Sequence, residues 1–285
     1  MDILTRISEV HEWCAARRSK GQSVGFVPTM GYLHEGHMAL VQQARSRNDA
    51  VLASIFVNPT QFSATEDLSR YPRDFERDCE LLRNHNCDAV FAPTPEEMYP
   101  EGFATHIHIN GVTAGFEGAV RPTHFDGVAL VVTRLLCITT PTALYLGQKD
   151  LQQTAVLRRL VLDLGLQCRV VVVPTVRDSD GLAKSSRNVY LSDVQRHQSL
   201  VLSRALRADC AEVQSGQTSV EILLRAAHEV LGAEPALHLD YIAIVDPLGM
   251  NTLQDITQSP DAACIVAGKV GSTRLIDNCY VRQVW

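Results

Sequence analysis

Short apolar runs alternate with longer amphipathic stretches through the first 176 residues. Val24 to Val27 is one such run, closed by Pro28-Thr29-Met30-Gly31, and it reads as a buried strand meeting a turn. The next stretch, Gly36 to Arg47, spaces its apolar residues as a helix does. Ala50 to Val57, ended by Asn58-Pro59, and Asp88 to Ala92, ended by Pro93, repeat the strand pattern. A helix over Asp126 to Ile138, a strand over Ala143 to Leu146, a helix over Asp150 to Leu164 and a β-branched strand over Cys168 to Val173 complete the series. Alternating apolar strands and helices predict an α/β domain whose parallel sheet is covered on both faces. Ligands of such sheets bind beyond the carboxyl ends of the strands. The polar clusters carrying Pro and Gly fall at those ends, at 28–37, 58–61, 147–150 and 177–187.

Past residue 176 the texture changes. Ser192 to Ser215 and Thr218 to Leu231 have helical periodicity, and three extended runs follow near 237–246, 262–269 and 273–281. This predicts a smaller α+β domain with an antiparallel sheet, so the chain divides into 1–176 and 177–285. Composition adds exclusions. A formal net charge of −6 disfavours a sequence-independent grip on nucleic acid. No apolar run reaches the roughly 18 residues of a membrane span, and the N-terminal stretch lacks the apolar core of a secretory signal. The eight cysteines are scattered with no C-x-x-C pair, which reads as reduced thiols in a cytoplasmic protein.

Candidate chemistry begins at Pro28-Thr29-Met30-Gly31-Tyr32-Leu33-His34-Glu35-Gly36-His37. Gly31 permits a tight turn, Gly36 a close approach at a helix start, and helix-start N–H groups attract phosphate. His34 and His37, three apart, can share one side of a helical turn and donate to phosphate oxygens. By spacing alone a surface turn with incidental histidines, or a zinc-binding pair, stays open, although H-E-x-H lacks the H-E-x-x-H spacing. Lys149 and Asp150 open a helix after a strand, so the lysine can reach anionic oxygens; a plain helix cap with an exposed lysine fits equally. Lys184-Ser185-Ser186-Arg187 suits a triphosphate, or is a solvated basic loop. Gln61 and Gln153 offer neutral amides for a hydroxyl or carboxylate, or are ordinary surface residues.

In order, Pro-Thr-Met-Gly-x-Leu-His-x-Gly-His is joined by Ser54 to Phe62, Tyr71-Pro72-Arg73, Glu117-Gly118, Arg121-Pro122-x-His124-Phe125, Gly147 to Gln153, Asp180 to Asn188 and Arg274 to Asn278. The set resembles the pantothenate synthetase (pantoate–β-alanine ligase) branch of the His-x-Gly-His nucleotidyltransferase superfamily, over nearly the whole chain. That resemblance implies a Rossmann-like domain, a C-terminal lid domain, a homodimer, and ATP-driven condensation of pantoate with β-alanine through a pantoyl adenylate. It implies ATP contacts at Met30, Gly31, Tyr32, Leu33, His34, Glu35, Gly36, His37, Gly147, Gln148, Lys149, Asp150, Val176, Lys184, Ser185, Ser186 and Arg187. His37, His34, Lys149 and Arg187 are implied as catalytic, Gln61 and Gln153 as pantoate-binding, and Gln61 also as β-alanine-binding. Asn58 and Tyr71 belong near the substrates, Glu117 and His124 in the pocket wall, and Asp78 at a magnesium ion. The chain departs from the family at Lys184 and Thr60, where apolar residues are usual, at Gln148, where Glu is common, and at Arg77 beside Asp78. The residues alone leave open another nucleotidyltransferase of the superfamily, or a nucleotide-binding protein without activity.

Overall fold

The computed structural model describes residues 1–63 and 68–284. They divide into two compact units, one from within 1–147 and 156–174, the other from 148–155 and 175–284. In chain order the elements are β1 (Asp2–Leu4), α1 (Ile7–Arg18), β2 (Val24–Thr29), α2 (Glu35–Arg45), β3 (Ala50–Ile55), α3 (Phe75–Asn84), β4 (Ala89–Phe91), α4 (Pro95–Met98), α5 (Glu117–Val120), α6 (His124–Thr139), β5 (Ala143–Gly147), α7 (Leu151–Asp163), β6 (Arg169–Val173), α8 (Asp193–Gln214), α9 (Val220–Gly232), β7 (Leu237–Val245), β8 (Ala263–Val270) and β9 (Thr273–Tyr280).

In the first unit six strands pair in the order β1-β4-β3-β2-β5-β6. Every pairing is parallel, as the doubly apolar strands require. Alternate residues feed opposite faces. Val24, Phe26, Leu52, Leu144 and Leu146 pack with α1 and α6 residues such as Val10, Trp13, Val128 and Leu135. Val27, Val51, Ala53, Val90 and Tyr145 pack with Val41 and Ala44 of α2 and Leu82 of α3. After β2 the chain builds β3 and β4 on one side and later places β5 on the other. The strand order therefore reverses between β2 and β5, which marks where this class of sheet binds ligand.

Sequence periodicity did not single out β1, α1 or α3 as elements. β1 has only three residues, and α1 buries just Val10, Trp13 and Cys14 on an otherwise polar helix. What starts α1 is local: Glu9 accepts from the Thr5 and Arg6 N–H groups at 2.7 and 3.1 Å.

The second unit has the expected antiparallel sheet, in the order β7-β8-β9. α8 and α9 cover it through Leu202, Leu206, Leu223 and Ala227, packed on Val266 and Leu275. Ser192 starts α8 with a capping box, its hydroxyl accepting from Gln195 N–H and the Gln195 side chain answering the Ser192 N–H. One polar side chain sits badly in this core. Asp209 is fully buried, and neither carboxylate oxygen has a hydrogen-bond partner of ordinary geometry. Burial pushes its carboxyl up to about 7, with only a smaller downward pull from the neighbouring Cys264 thiol.

The raised carboxyl makes the fold pH-sensitive. Because the folded chain holds this proton when the unfolded chain has lost it, the stabilisation is complete below the ordinary carboxylate value of 3.8 and is lost as pH rises through about 7. Asp209→Asn should therefore raise the melting temperature at pH 8, by up to about 4 kcal/mol of stability, and change little at pH 4. Calorimetry at the two pH values checks this; an equal effect at both would show that the carboxyl is charged throughout.

Candidate active site

β2 ends in a hydrogen-bonded knot. Thr29 Oγ1 donates to Ser54 carbonyl at 2.6 Å and accepts from Gly31 N–H at 3.2 Å. Gly31 and Tyr32 then both take positive φ, +84° and +49°. The first suits glycine; the second strains a tyrosine and needs outside support. Asp78 of α3 supplies it, its two carboxylate oxygens accepting from Tyr32 and Leu33 N–H at 2.7 Å each. A Cβ on Gly31 would lie 3.1 Å from Asp78 Oδ2, a tight contact added to the conformational preference for glycine. Burial pushes the Asp78 carboxyl up, opposed by the Leu33 and Tyr32 N–H bonds and by Arg77.

The turn delivers His34 as the cap of α2. His34 Nδ1 accepts from Gly36 N–H at 3.1 Å, and His34 N–H donates to His37 Nδ1 at 3.3 Å. The rings lie 4.1 Å apart between centroids. An Nδ1 that accepts carries no proton, so in the neutral form each imidazole keeps its proton on Nε2. Two N–H donors on adjacent rings thus sit at the start of a helix of 11 residues. Such an array suits oxygens that gain negative charge.

Beyond β3 a short 3-10 turn, Pro59–Gln61, carries the first expected pantoate residue. Asn58 is almost fully buried and wires this region: its amide donates to Gln61 Oε1 and Gly127 carbonyl at 3.1 Å, while its Oδ1 accepts from Tyr99 hydroxyl at 2.7 Å. Gln61 Nε2 contacts Met30 Sδ at 3.3 Å, bringing two expected site residues together. His124 lies 3.0 Å by Nδ1 from Gln61 carbonyl, and Arg121 meets its other nitrogen at 3.1 Å. Arginine can only donate, so His124 carries its proton on Nδ1. Tyr71 and Glu117 are buried in the same unit, Tyr71 edge-on to Phe62.

Gly127 and Tyr99 were not recognised from sequence. Gly127 reads as one residue in a helix, yet a Cβ there would lie 2.4 Å from Thr60 carbonyl. The only signal in the chain is a glycine on the buried face of an otherwise strong helix former.

In the second unit Gln148–Asp150 is a 3-10 turn leading into α7. Gln148 is buried, and Lys149 Nζ lies 3.8 Å from Asp150 Oδ1. Gln152 is buried and Gln153 half-buried. Val176 and Lys184 face each other across a small hairpin: Lys184 N–H donates to Val176 carbonyl at 2.9 Å, Arg177 bridges Ala183, and Gly181 turns the tip at φ +97°. Ser185 caps the following 3-10 turn by accepting from Arg187 N–H at 3.3 Å, with Ser186 buried behind it. Lys184 forms an ion pair with Asp178 at 2.5 Å, and Arg196 joins Asp178 and Asp180 at 2.8 Å each. Burial alone would raise the Asp178 carboxyl; Lys184 and Arg196 outweigh it and hold the group below its ordinary value. The Lys184 departure therefore has a partner within its own hairpin.

Magnesium fares differently. Asp78 is 1% exposed, with both oxygens already committed to the 31–33 turn, so it does not fit the metal-ligand role expected of it. Among the described residues no group of three or more His, Cys, Asp or Glu is arranged to hold a metal ion.

The family model described as pantoate-beta-alanine ligase matches residues 2–280. The chain belongs to the pantoate–β-alanine ligase family. Pantoate–β-alanine ligases similar to it include the pantothenate synthetase of Roseiflexus castenholzii, 50% identical over 96% of this chain and 98% of the relative. A crystal structure of pantothenate synthetase from Thermus thermophilus superposes with a TM-score of 0.93 at 51% identity, covering 99% of this chain and 100% of the other. The pantoate-beta-alanine ligase of Francisella tularensis, solved in complex with β-γ ATP and β-alanine, gives a TM-score of 0.80 at 34% identity over 100% of this chain and 99% of that one. The α/β fold class expected from the strand–helix alternation is that of this family.

The contact of α6 with the 59–61 turn yields a test. Gly127→Ala must displace the turn or the helix, costing about 1–3 kcal/mol of stability and at least about tenfold in turnover as Gln61 shifts. Melting temperature and steady-state kinetics measure both; unchanged kinetics would show that the turn position does not matter.

Proposed function

We propose that this chain condenses pantoate with β-alanine at the expense of ATP, through a pantoyl adenylate, releasing AMP and pyrophosphate. The observation that carries this reading is the 31–37 turn, where two imidazoles with Nε2–H donors stand at the start of α2. Family membership along 2–280 supports the reaction class. A pantoate carboxylate oxygen attacks the α-phosphorus of ATP, the bond to the bridging oxygen breaks, and pyrophosphate leaves. Little covalent work falls to the protein, so alignment and charge stabilisation make the rate. His37 and His34 donate to the α-phosphate oxygens, Lys149 and Arg187 neutralise the triphosphate, and the Ser185 and Ser186 hydroxyls donate hydrogen bonds to it. Backbone and side chains of Met30 to His37, Gly147 to Asp150 and Val176 complete the ATP contacts. Lys184, held by Asp178, contributes mainly its stem.

Gln61 and Gln153 hold the pantoate hydroxyl and carboxylate without adding charge, which favours a hydroxy acid over a phosphorylated acceptor. The β-alanine amine, with Gln61 near it, then attacks the acyl carbon. The carbon–oxygen bond to AMP breaks and the amine loses a proton. The 177–285 domain serves as a lid that keeps water from the mixed anhydride. A magnesium ion arriving with ATP would add charge neutralisation, and Asp78 stays with the turn it holds. No described helix is long and apolar enough to cross a membrane. A cytoplasmic homodimer is the setting we assign.

The reaction is tested by β-alanine-dependent release of AMP and pyrophosphate from ATP and pantoate. A different acceptor requirement would return the chain to another nucleotidyltransferase, and no release at all would leave a binding protein. Lys149→Ala should lower adenylate formation by about 100-fold or more with the melting temperature unchanged; near-normal turnover removes Lys149 from the scheme. His37→Ala should slow single-turnover adenylation more than it weakens ATP binding, and equal losses would make His37 a binding residue.

A further inference from the structure

β9 carries none of the expected ATP contacts, yet two adjacent residues on it reach both segments of the second unit that do. Asn278 is 3% exposed. Its side-chain amide donates to Gln148 carbonyl at 3.0 Å and to Lys149 carbonyl at 2.8 Å, and its Oδ1 accepts from Gln148 Nε2 at 3.2 Å. All of its side-chain hydrogen bonds given by the structure thus go to one turn of three residues, Gln148–Asp150. Asp277, 4% exposed, receives both terminal nitrogens of Arg177 at 2.7 and 2.8 Å. It also accepts from Asn278 N–H at 2.8 Å, which ties the two residues together. Arg177 in turn donates to Gly181 carbonyl at 3.1 Å and Asn278 carbonyl at 3.2 Å, fastening the hairpin that runs from Val176 to Lys184.

We propose that Asn278 is a positioning residue for Lys149, and that Asp277, through Arg177, sets the 176–184 hairpin against the same strand. The inference rests on the reading of 148–150 and 176–187 as ATP-binding segments. A lysine on a flexible stem neutralises a triphosphate only if its backbone is held where the stem can reach. A turn this short has no helical ladder of its own to fix it. Asn278 supplies that fixity with a neutral amide, so the anchor itself adds no charge beside Lys149 to compete with the phosphates. Its two N–H donors and one acceptor match two carbonyls and one amide N–H. An aspartate of equal shape would turn an acceptor toward both carbonyls. Arg177 and Asp277 are a poor place to cut, because removing either partner strands a buried charge and endangers the fold.

Asn278 is the residue to test. In Asn278→Ala, affinity for a non-hydrolysable ATP analogue should fall about tenfold or more and the pantoate-dependent ATP–pyrophosphate exchange rate about 30-fold or more. The KM for pantoate should stay within about twofold and the melting temperature within a few degrees. Asn278→Asp should be as impaired at pH 8 but regain at least about fivefold relative to wild type by pH 5.5, because burial and two facing carbonyl oxygens disfavour its charged form, so that it takes a proton above the ordinary carboxylate range and can donate to one carbonyl again. Wild-type analogue affinity and exchange in Asn278→Ala would overturn the proposal. So would equal losses for ATP and pantoate accompanied by a large drop in melting temperature, which is a structural role only. If Asn278→Ala does not fold, the pH response of Asn278→Asp decides, and a flat response overturns it. Wild-type chain that binds the analogue without pantoate-dependent exchange would refute the proposed reaction, while the analogue affinities still judge Asn278.

Discussion

Asp78 gives both carboxylate oxygens to the N–H groups of Tyr32 and Leu33, and the candidate chemistry of the first unit depends on that pairing. Tyr32 at φ +49° costs conformational energy, on the order of 1–3 kcal/mol for a residue of this kind, which the surroundings have to offset. A buried carboxylate facing two backbone donors does so, since each charge-assisted bond is stronger than a neutral one. The geometry propagates from there. With Tyr32 and Leu33 held, His34 falls at the helix cap, Gly36 N–H meets its Nδ1, and His34 N–H meets the ring of His37. The tautomers of both imidazoles follow from a bond pattern that starts on a different helix, 45 residues further along the chain from Leu33.

The second unit solves a similar problem with different chemistry. There the turn preceding α7 and the hairpin at 176–184 are fastened to β9 by an amide and by a buried bidentate ion pair. In both units a loop expected to meet ATP is short and rich in turn residues, and cannot hold itself. In both, a buried polar side chain from a distant element grips its backbone N–H or carbonyl groups. Neighbouring elements thus add to the holding that the loops' own side chains, such as Thr29 and Ser185, begin. This division of labour explains why buried polar residues gather here, although burying them is costly unless every partner is supplied.

The departures from the family pattern acquire physical meaning in this light. Lys184 meets Asp178, whose carboxylate also takes Arg196, so the extra cation is absorbed locally. Gln148 in place of an acid lets its side chain donate to Asn278 Oδ1, which a carboxylate cannot do. Arg77 beside Asp78 donates to Leu33 carbonyl at 3.1 Å and lies over the Tyr32 ring, serving the same turn that Asp78 anchors. Thr60 donates its hydroxyl to Asn58 Oδ1 at 3.0 Å.

By itself the sequence determined the class of fold, the order of the main strands and helices, and the family. Those are local or ordered properties: apolar runs of strand length, helical spacing between them, and motifs whose residues are contiguous. It was also enough to name the histidines, Lys149 and the glutamines as candidates. It did not reveal β1 or α1, whose apolar content is too slight to make a period, and the family resemblance alone put Asp78 at a magnesium ion, because an acid in a matching position carries no sign of what it faces. Gly127, Tyr99, Arg177, Asp277 and Asn278 took their roles only when residues tens of positions apart were brought to within about 3 Å. Hydrogen-bond partners of that kind leave no periodic trace along a chain, and only the tertiary structure decides them.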